Sequence, residues 1–250
     1  MNHAAARSPS SRSRVIGAVY LLYFLAAIGS ALLARGLSVP DDAAATASAM
    51  LTHESSYRAS VAVDLVANAL YIAVIGLLCT LLAPVSRSLS LIAAFFGLVG
   101  CAVQIFGDTF RFAALVVLQP ADWLRPFTAE QLRAAALMCL KLHALSFNGS
   151  LVLFALFNLV IGSLIVRSTL LPRILGLLMM LAGLGWLTFL WPPLAAALSA
   201  YVLPLGALAE FLLMLWLLVR GARGIESPAS SACARSAGAS SAAPTERRPS

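Results

Sequence analysis

The chain has 250 residues, of which 61% are hydrophobic and only 11% are charged. Roughly a quarter of the residues in a soluble domain are charged, so this composition excludes a water-soluble globular protein. The net charge of +7 does not indicate nucleic-acid binding, because the basic residues are spread over separate loops and tails rather than gathered on one surface.

The apolar residues fall in blocks of about 20, the length of a helix that crosses a hydrocarbon core about 30 Å thick. Backbone groups in lipid must be paired within the protein, which helices achieve, and the blocks lack the alternation of barrel strands. We therefore predict an all-α integral membrane bundle of six transmembrane helices. The predicted spans are residues 15–34, 61–82, 89–118, 137–166, 174–190 and 205–219, which together form a membrane domain over residues 15–222.

The segments outside the spans carry local signals of structure. Residues 1–14 and 223–250 are rich in Ser, Ala and Arg and are predicted to be disordered tails. Asp41 and Asp42 precede an Ala-rich stretch that predicts a short surface helix. Thr128, with Gln131 three residues later, predicts a capping box before span 4. Trp191 and the two prolines after it are expected to end span 5, and an apolar outer loop containing Pro204 then precedes span 6.

The distribution of basic residues predicts the orientation of the chain. With the N-terminus inside, the inner segments hold 11 Arg residues. The outer segments hold four, Arg35, Arg58, Arg125 and Arg133. Loops on the cytoplasmic side carry the excess of Lys and Arg, so both termini are predicted to be cytoplasmic.

Polar groups within the apolar blocks are the candidates for function. A charge at mid-bilayer costs roughly 2.5–3.5 kcal/mol on insertion scales, so such groups should face one another, water or the interface. By their positions along spans 2, 3, 4 and 6, several lie at similar depths in the outer half. They predict one polar pocket open to the outer face, with binding residues Asp64, Asn68, Asp108, Arg111, His143, Asn148 and Glu210.

Simpler explanations exist for most of these residues. Asp108 and Arg111 can neutralise each other, Asp64 and Lys141 can be hydrated at the interface, and His143 can be a hydrogen-bonded packing residue. Glu210, about five residues into span 6, has no basic residue near it in the sequence. A buried glutamate in that setting can carry a proton.

Known catalytic and cofactor chemistries find little support. The chain has three His residues, and only His143 lies in a span, so neither a three-His zinc site nor a bis-His haem is expected. The four Cys residues form no CxxC motif, and HExxH, GxSxG and Walker A motifs are missing from the sequence. We therefore expect no metal and no cofactor.

Four stretches together resemble a known family. RVIGAVYLLYFLAAIG, VPDDAAATASAML, LHALSFNGSLVLFALFNLVIGSLIVRSTLLPRILG and LPLGALAEFLLMLWLLVRG are similar to a bacterial six-span family catalogued as domain of unknown function 4386, over about residues 12–222. The resemblance implies a multi-pass protein of the bacterial cytoplasmic (inner) membrane. It implies no activity, and it gives no role to His143 or Glu210.

Two functions remain open at this point. The first is a non-enzymatic membrane protein that binds a small molecule, a lipid or a membrane-protein partner, including a second copy of itself, through the outer pocket, with transport as one form of this function. The second is an intramembrane enzyme that uses Asp64, Asp108, His143 and Glu210 as acid–base groups. The first is preferred because no nucleophile or metal set is complete.

Overall fold

The computed structural model describes residues 9–221, and over that range the regular secondary structure is entirely helical, with six helices long and apolar enough to cross a membrane. The predicted six-span, all-α architecture is confirmed. The tails were predicted over residues 1–14 and 223–250; residues 1–8 and 222–250 lie outside the described range, whereas residues 9–14 are helical. The helices are α1 Pro9–Leu33, α2 Ala43–Thr52, α3 Glu54–Leu82, α4 Arg87–Leu118, α5 Ala129–Arg167, α6 Arg173–Trp186 and α7 Pro192–Val219.

The six long helices form a closed ring. Each packs against its neighbours along the sequence, from α1 and α3 through to α6 and α7, and α7 returns to pack against α1. The connections from α3 to α4, α5 to α6 and α6 to α7 are short, and α2 lies in the longer one between α1 and α3. Consecutive long helices are therefore antiparallel, as in an up-and-down bundle. The short helix α2 packs across α3, α4 and α5 at one end of the ring, which we call the α2 end. The ring therefore has an interior that every long helix can reach.

Helix caps explain where two of the predicted elements begin. Asp42 accepts a hydrogen bond from the backbone N–H of Ala45 at the start of α2. Thr128 and Gln131 form the predicted capping box of α5, with side-chain-to-backbone bonds of 3.2 and 2.9 Å. At 1.5 Å per residue, the 39 residues of α5 exceed a hydrocarbon core about 30 Å thick. The first turns of α5 therefore extend beyond the core, where α2 packs on them.

Two helices begin earlier than the sequence indicates. α1 begins at Pro9, ahead of residue 15, and proline suits a first helical position because its fixed φ is helical. α7 begins at Pro192 and runs through Pro204, so residues 192–204 are helical and not an outer loop. Trp191, which precedes a proline, is extended and separates α7 from the 3₁₀ turn Leu187–Leu190 that ends span 5. Consequently Glu210 lies deep within α7 rather than near its start.

The ring closes through a close backbone contact between its first and last helices. A Cβ atom placed on Gly17 of α1 would lie 2.5 Å from the backbone nitrogen of Leu218 on α7. Only glycine permits that approach, and small residues are the usual means of close helix packing in membranes. The interior core then draws on opposite sides of the ring, with Tyr20, Leu78, Phe157 and Leu213 all fully buried.

Candidate functional site

A cavity of ≈ 170 Å³ lies inside the ring, and all six long helices contribute to its lining. The sequence predicted contributions from spans 2, 3, 4 and 6 only. α1 contributes aromatic side chains as well, and α6 contributes Trp186. Of the seven predicted binding residues, three line this cavity, namely Asp64, Asn68 and Glu210.

Glu210 marks one end of the cavity and is held by two tyrosines. The Tyr20 hydroxyl donates to Glu210 Oε2 and the Tyr71 hydroxyl to Oε1, each at 2.9 Å. Glu210 is 4% exposed, and within residues 9–221 no Arg, Lys or His forms an ion pair with it. The carboxyl group therefore has hydrogen-bond partners but no counter-charge from the described chain.

Aromatic rings surround this carboxyl group. Tyr20, Tyr23 and Tyr71 pack together, with the rings of Tyr23 and Tyr71 4.6 Å apart between centroids. Phe154 meets Tyr71 edge to face at 5.4 Å. The Tyr23 hydroxyl makes no hydrogen bond to any described residue and lies on the cavity lining. The cavity thus offers aromatic faces and one uncommitted hydroxyl close to a carboxyl group.

The other end of the cavity is more polar and lies towards the α2 end. Asp64 and Asn68 on α3 and Gln104 on α4 line it. The Asn68 amide donates to the Asp64 carbonyl at 3.1 Å, so it is partly committed to its own helix. Seven residues separate Asp64 from Tyr71 on α3, so the two ends lie about 10 Å apart along the helix axis.

Asp64 also belongs to an ionic cluster that lies beyond the cavity and is centred on Arg111. Arg111 Nη1 lies 3.3 Å from Asp64 Oδ2 and 3.7 Å from Asp108 Oδ1. Its Nη2 donates to the Ser60 hydroxyl at 2.7 Å. The hydroxyl of Tyr57 donates to the Arg111 carbonyl at 2.9 Å, and its ring lies 5.8 Å from the guanidinium carbon. The predicted local pairing of Asp108 with Arg111 is present, and Asp64 joins it.

Asp108 and His143 form the least satisfied part of this cluster. Asp108 is 1% exposed, and His143 Nδ1 lies 3.7 Å from Asp108 Oδ1. Neither carboxyl oxygen of Asp108 nor His143 Nδ1 makes a hydrogen bond with the described residues. Buried polar groups are normally paired, so a water molecule or a shared proton is expected here. Neither residue lines the cavity.

The family model described as "Domain of unknown function (DUF4386)" matches residues 15–221. The chain belongs to the DUF4386 family. No curated protein and no solved structure matches it. The family places the chain among membrane proteins without an assigned activity, so its chemistry has to be argued from the geometry of the ring interior.

Two polar residues of this DUF4386 protein lie apart from the cavity. Lys141 is exposed and forms an ion pair with Asp41 in the loop before α2, so it lies outside the membrane core. The Lys141 ammonium group lowers the pKa of Asp41 from its usual value. Asn148, a predicted binding residue, is half-buried on α5 and does not line the cavity.

The tyrosines are the site residues of the DUF4386 protein that the sequence did not reveal. Tyr20 and Tyr23 lie in span 1, which the sequence indicates to be almost wholly apolar, and Tyr71 lies in span 2. Tyrosine is counted among the hydrophobic residues of the chain, although its hydroxyl needs a partner when buried. The signal that could have found them is tyrosine in the middle of a span, away from the interfaces where tyrosine usually lies.

A second depression of ≈ 650 Å³ is larger but has a different character. Its lining lies within residues 118–132, the end of α4, the connection and the start of α5. The charged pair in it, Asp122 and Arg125, is more than three-quarters exposed. One connection thus forms this depression at the surface, whereas six helices converge on the interior cavity. Within residues 9–221, no group of three or more His, Cys, Asp or Glu residues could hold a metal ion.

Proposed function

We propose that this protein binds a small molecule in the cavity inside its helix ring and acts as a membrane-embedded binding protein or carrier. The observation that carries the proposal is the convergence of all six spans on one cavity lined by both aromatic and polar side chains. Ligand sites combine a mostly apolar lining with a few polar groups in this way, and in bundles they lie between the helices.

The size of the cavity limits the ligand. Sites for drug-sized molecules enclose about 300–1,000 Å³, and this cavity encloses ≈ 170 Å³. An engineered cavity of about 150 Å³ accepts benzene. We therefore propose a ligand with the bulk of one small ring, rather than a lipid or a protein segment. We expect lipid acyl chains to contact the outer surface of the helix ring instead, where Leu22, Leu25 and Ile28 on α1 are more than half exposed.

The alternative of an intramembrane enzyme receives less support. It requires Asp64, Asp108, His143 and Glu210 to act on one substrate. Asp108 and His143 do not line the cavity, whereas Asp64 and Glu210 do. A general acid or base must lie within hydrogen-bond reach of the reacting group, directly or through one water. A substrate in the cavity would meet two of the four groups.

We also propose that the protein resides in the bacterial cytoplasmic membrane with both termini in the cytoplasm. The support is the excess of basic residues on the side of the termini, 11 against four. Lys141, paired with Asp41, adds one positive charge at the α2 end and leaves the excess in place. In this orientation the polar end of the cavity, at Asp64, faces the outside of the cell.

The proposed function can be tested by a substitution that narrows the cavity at its rim. Ala207 lines the cavity and is also exposed, whereas its neighbour Leu208 points away and is 51% exposed. Ala207→Phe should fill part of the cavity, and Leu208→Phe should leave it open. Small molecules co-purifying from native membranes would be identified by mass spectrometry for both variants and the parent chain.

We expect one compound to be present in the parent and in Leu208→Phe and to fall roughly tenfold in Ala207→Phe, a change of about 1.4 kcal/mol in binding. Equal amounts in all three proteins would contradict a ligand in this cavity. Circular dichroism and membrane abundance would check that both variants fold.

A further inference from the structure

We infer that the ligand of this cavity is a small organic cation, a protonated amine on a ring-sized apolar body, and that it exchanges with a proton on Glu210. The inference rests on the proposed function and specifies its ligand class. It follows from the charge of the ring interior, the nature of the cavity lining, and the position of Glu210 relative to both.

Among the described residues, the ring interior holds more acidic than basic side chains. Three carboxyl groups, Asp64, Asp108 and Glu210, lie buried or half-buried in the ring. One guanidinium group, Arg111, serves the two aspartates, and the His143 imidazole lies beside Asp108. Glu210 has no such partner among the described residues. An isolated buried charge is too costly to persist, so either a proton or a cation must accompany it.

The lining of the cavity near Glu210 is rich in aromatic side chains. Tyr23, Phe24, Tyr71, Phe154 and Trp186 all line it, and none of the described lining residues is Lys, Arg or His. The faces of aromatic rings attract cations, with the strongest effect where water is excluded. An anionic ligand would meet the carboxyl groups of Glu210 and Asp64 and no positive group on the lining. The combination favours a cation with an apolar body.

The hydrogen-bond partners of Glu210 are compatible with both the protonated and the ionised carboxyl group. Each tyrosine hydroxyl can donate to a carboxylate or accept from a carboxylic acid. Asn158 on α5 is fully buried near Glu210, and its side-chain amide makes no hydrogen bond to the described residues. It can donate to the carboxylate or accept from the acid. The titratable groups around Glu210 are Tyr20 and Tyr23 from α1, Tyr71 from α3 and Cys101 from α4. Asp64 lies at the other end of the cavity, about 10 Å away along α3. From α5 and α6 come Asn158 and Trp186, which do not titrate.

The exchange conserves charge at the site. In the empty state Glu210 carries the proton and is neutral. When an alkylammonium ion enters, the carboxyl O–H bond breaks, the proton leaves to water, and the carboxylate pairs with the ammonium group. One positive charge enters and one leaves, so the interior never holds an unpaired ion. A carrier built on this site would move an amine in one direction and a proton in the other.

The test uses the purified full chain in lipid nanodiscs and two probes of matched shape. Benzylamine carries the ammonium group, and benzyl alcohol is its neutral counterpart. We expect the chain to bind benzylamine at least about tenfold more tightly than benzyl alcohol by isothermal titration calorimetry. Titrations in two buffers of different ionisation enthalpy should show about one proton released per benzylamine bound. Neither measurement requires a substitution.

Substitution of the acid then locates the effect. Glu210→Gln should weaken benzylamine binding by roughly thirtyfold or more, because it removes one partner of a buried charge pair, and it should abolish proton release. Benzyl alcohol binding should be unchanged. Glu130→Gln is the matched control, since Glu130 is exposed at the start of α5, and it should behave as the parent. With the amine kept protonated, affinity should rise with pH up to the point where Glu210 is ionised in the empty site.

Equal binding of the two probes would overturn the cation inference. So would benzylamine binding without proton release, or unchanged binding in Glu210→Gln. Failure of benzylamine to bind the parent chain would overturn it as well. These results leave the proposed function standing if Ala207→Phe still loses a co-purified neutral molecule. If Ala207→Phe retains every co-purified molecule at the level of the parent chain, the proposed function itself is overturned.

Discussion

Arg111 compensates for more negative charge than any other side chain among the described residues of the ring interior. Its side chain is 9% exposed, and it faces the carboxyl groups of Asp64 and Asp108 as well as the Ser60 hydroxyl. An uncompensated buried charge is far more costly than a surface ion pair is favourable. The positive charge of the Arg111 guanidinium group thus allows Asp64 and Asp108 to lie close together in the bundle.

Removal of that group should destabilise the protein strongly. Arg111→Gln leaves two carboxyl groups facing each other, and we expect a loss of about 3 kcal/mol in the free energy of unfolding. The double variant Arg111→Gln/Asp108→Asn should lose less than the single variant, because one carboxyl group is gone. Denaturant unfolding in a mild detergent would measure both.

Arg125→Gln is the control for the two Arg111 variants. Arg125 and Asp122 form an ion pair on the surface, and loss of an exposed ion pair should not change the free energy of unfolding measurably. Asp108→Asn alone completes the set. If the stability lost in the double variant equals the sum of the losses in Arg111→Gln and Asp108→Asn, Arg111 does not compensate Asp108.

At this scale the sequence was informative where residues were charged. Asp64, Asp108, Arg111 and His143 stood out because charge is rare in apolar blocks, and the structure brings these four together. The Glu210 partners did not stand out, since Tyr20 and Tyr71 are counted among the hydrophobic residues although their hydroxyls are the groups that contact Glu210. Which of the charged groups line the cavity also depends on helix rotation within the ring, which no spacing along one helix determines.

Among the elements, α7 departs most from its sequence-based prediction. Pro192 and Pro193 suggested a loop, yet they open a 28-residue helix that also contains Pro204. Proline is tolerated inside membrane helices because neighbouring helices and local adjustments satisfy the freed backbone groups. The capped helices were more predictable, since the Asp42 and Thr128 caps depend on residues within one turn.

The contact between α1 and α7 gives a prediction for a single glycine. In Gly17→Ala the new methyl group would meet the backbone of Leu217 and Leu218, and helix backbones cannot yield as flexible side chains can. We expect a loss of about 1–3 kcal/mol in the free energy of unfolding. Gly29→Ala on the same helix is the control, because its methyl group would meet only Val63 Cγ1 at 3.9 Å.

Alanine is the better helix former, so Gly29→Ala should be neutral or slightly stabilising. Equal stability of Gly17→Ala and the parent chain would mean that the ring does not close at this contact. Denaturant unfolding of the two variants and the parent, under identical detergent conditions, distinguishes these results.

For the whole molecule, the number of spans was predictable and their arrangement was not. Blocks of apolar residues identify helices that cross a bilayer. In lipid, however, the outer face of a helix is as apolar as its packed face, so no stripe indicates which helices are neighbours. On α1 the exposed Leu25 and the buried Ile16 are equally apolar in character. The cavity arises from ring closure and could not be foreseen for the same reason.

The orientation of the whole molecule gives a further prediction. In a background with the four native cysteines replaced by serine, Ser38→Cys and Ala129→Cys lie at the α2 end, and Ser88→Cys and Thr169→Cys lie at the opposite end, all at exposed positions. A membrane-impermeant maleimide applied to intact cells with a permeabilised outer membrane should label the first pair only.

After disruption of the cytoplasmic membrane, the maleimide should label all four positions, which confirms that each cysteine is reactive. Labelling of Ser88→Cys or Thr169→Cys in intact cells would reverse the proposed orientation and place Asp64 towards the cytoplasm.

The closed ring has a consequence for how the protein is made. The chain is synthesised from its N-terminus, so α1 is inserted into the bilayer first. Four further spans, α3 to α6, are inserted before α7, the second helix that packs against α1. Until then Tyr20 and Tyr71 have no carboxyl group to bind, and the cavity has an open side. Glu210 enters with the last span, so the acid reaches the membrane interior only when partners from α1 and α3 are already there to receive it. A chain cut short before α7 would lack the cavity and its acid together, and would leave an open groove that cellular proteases can recognise.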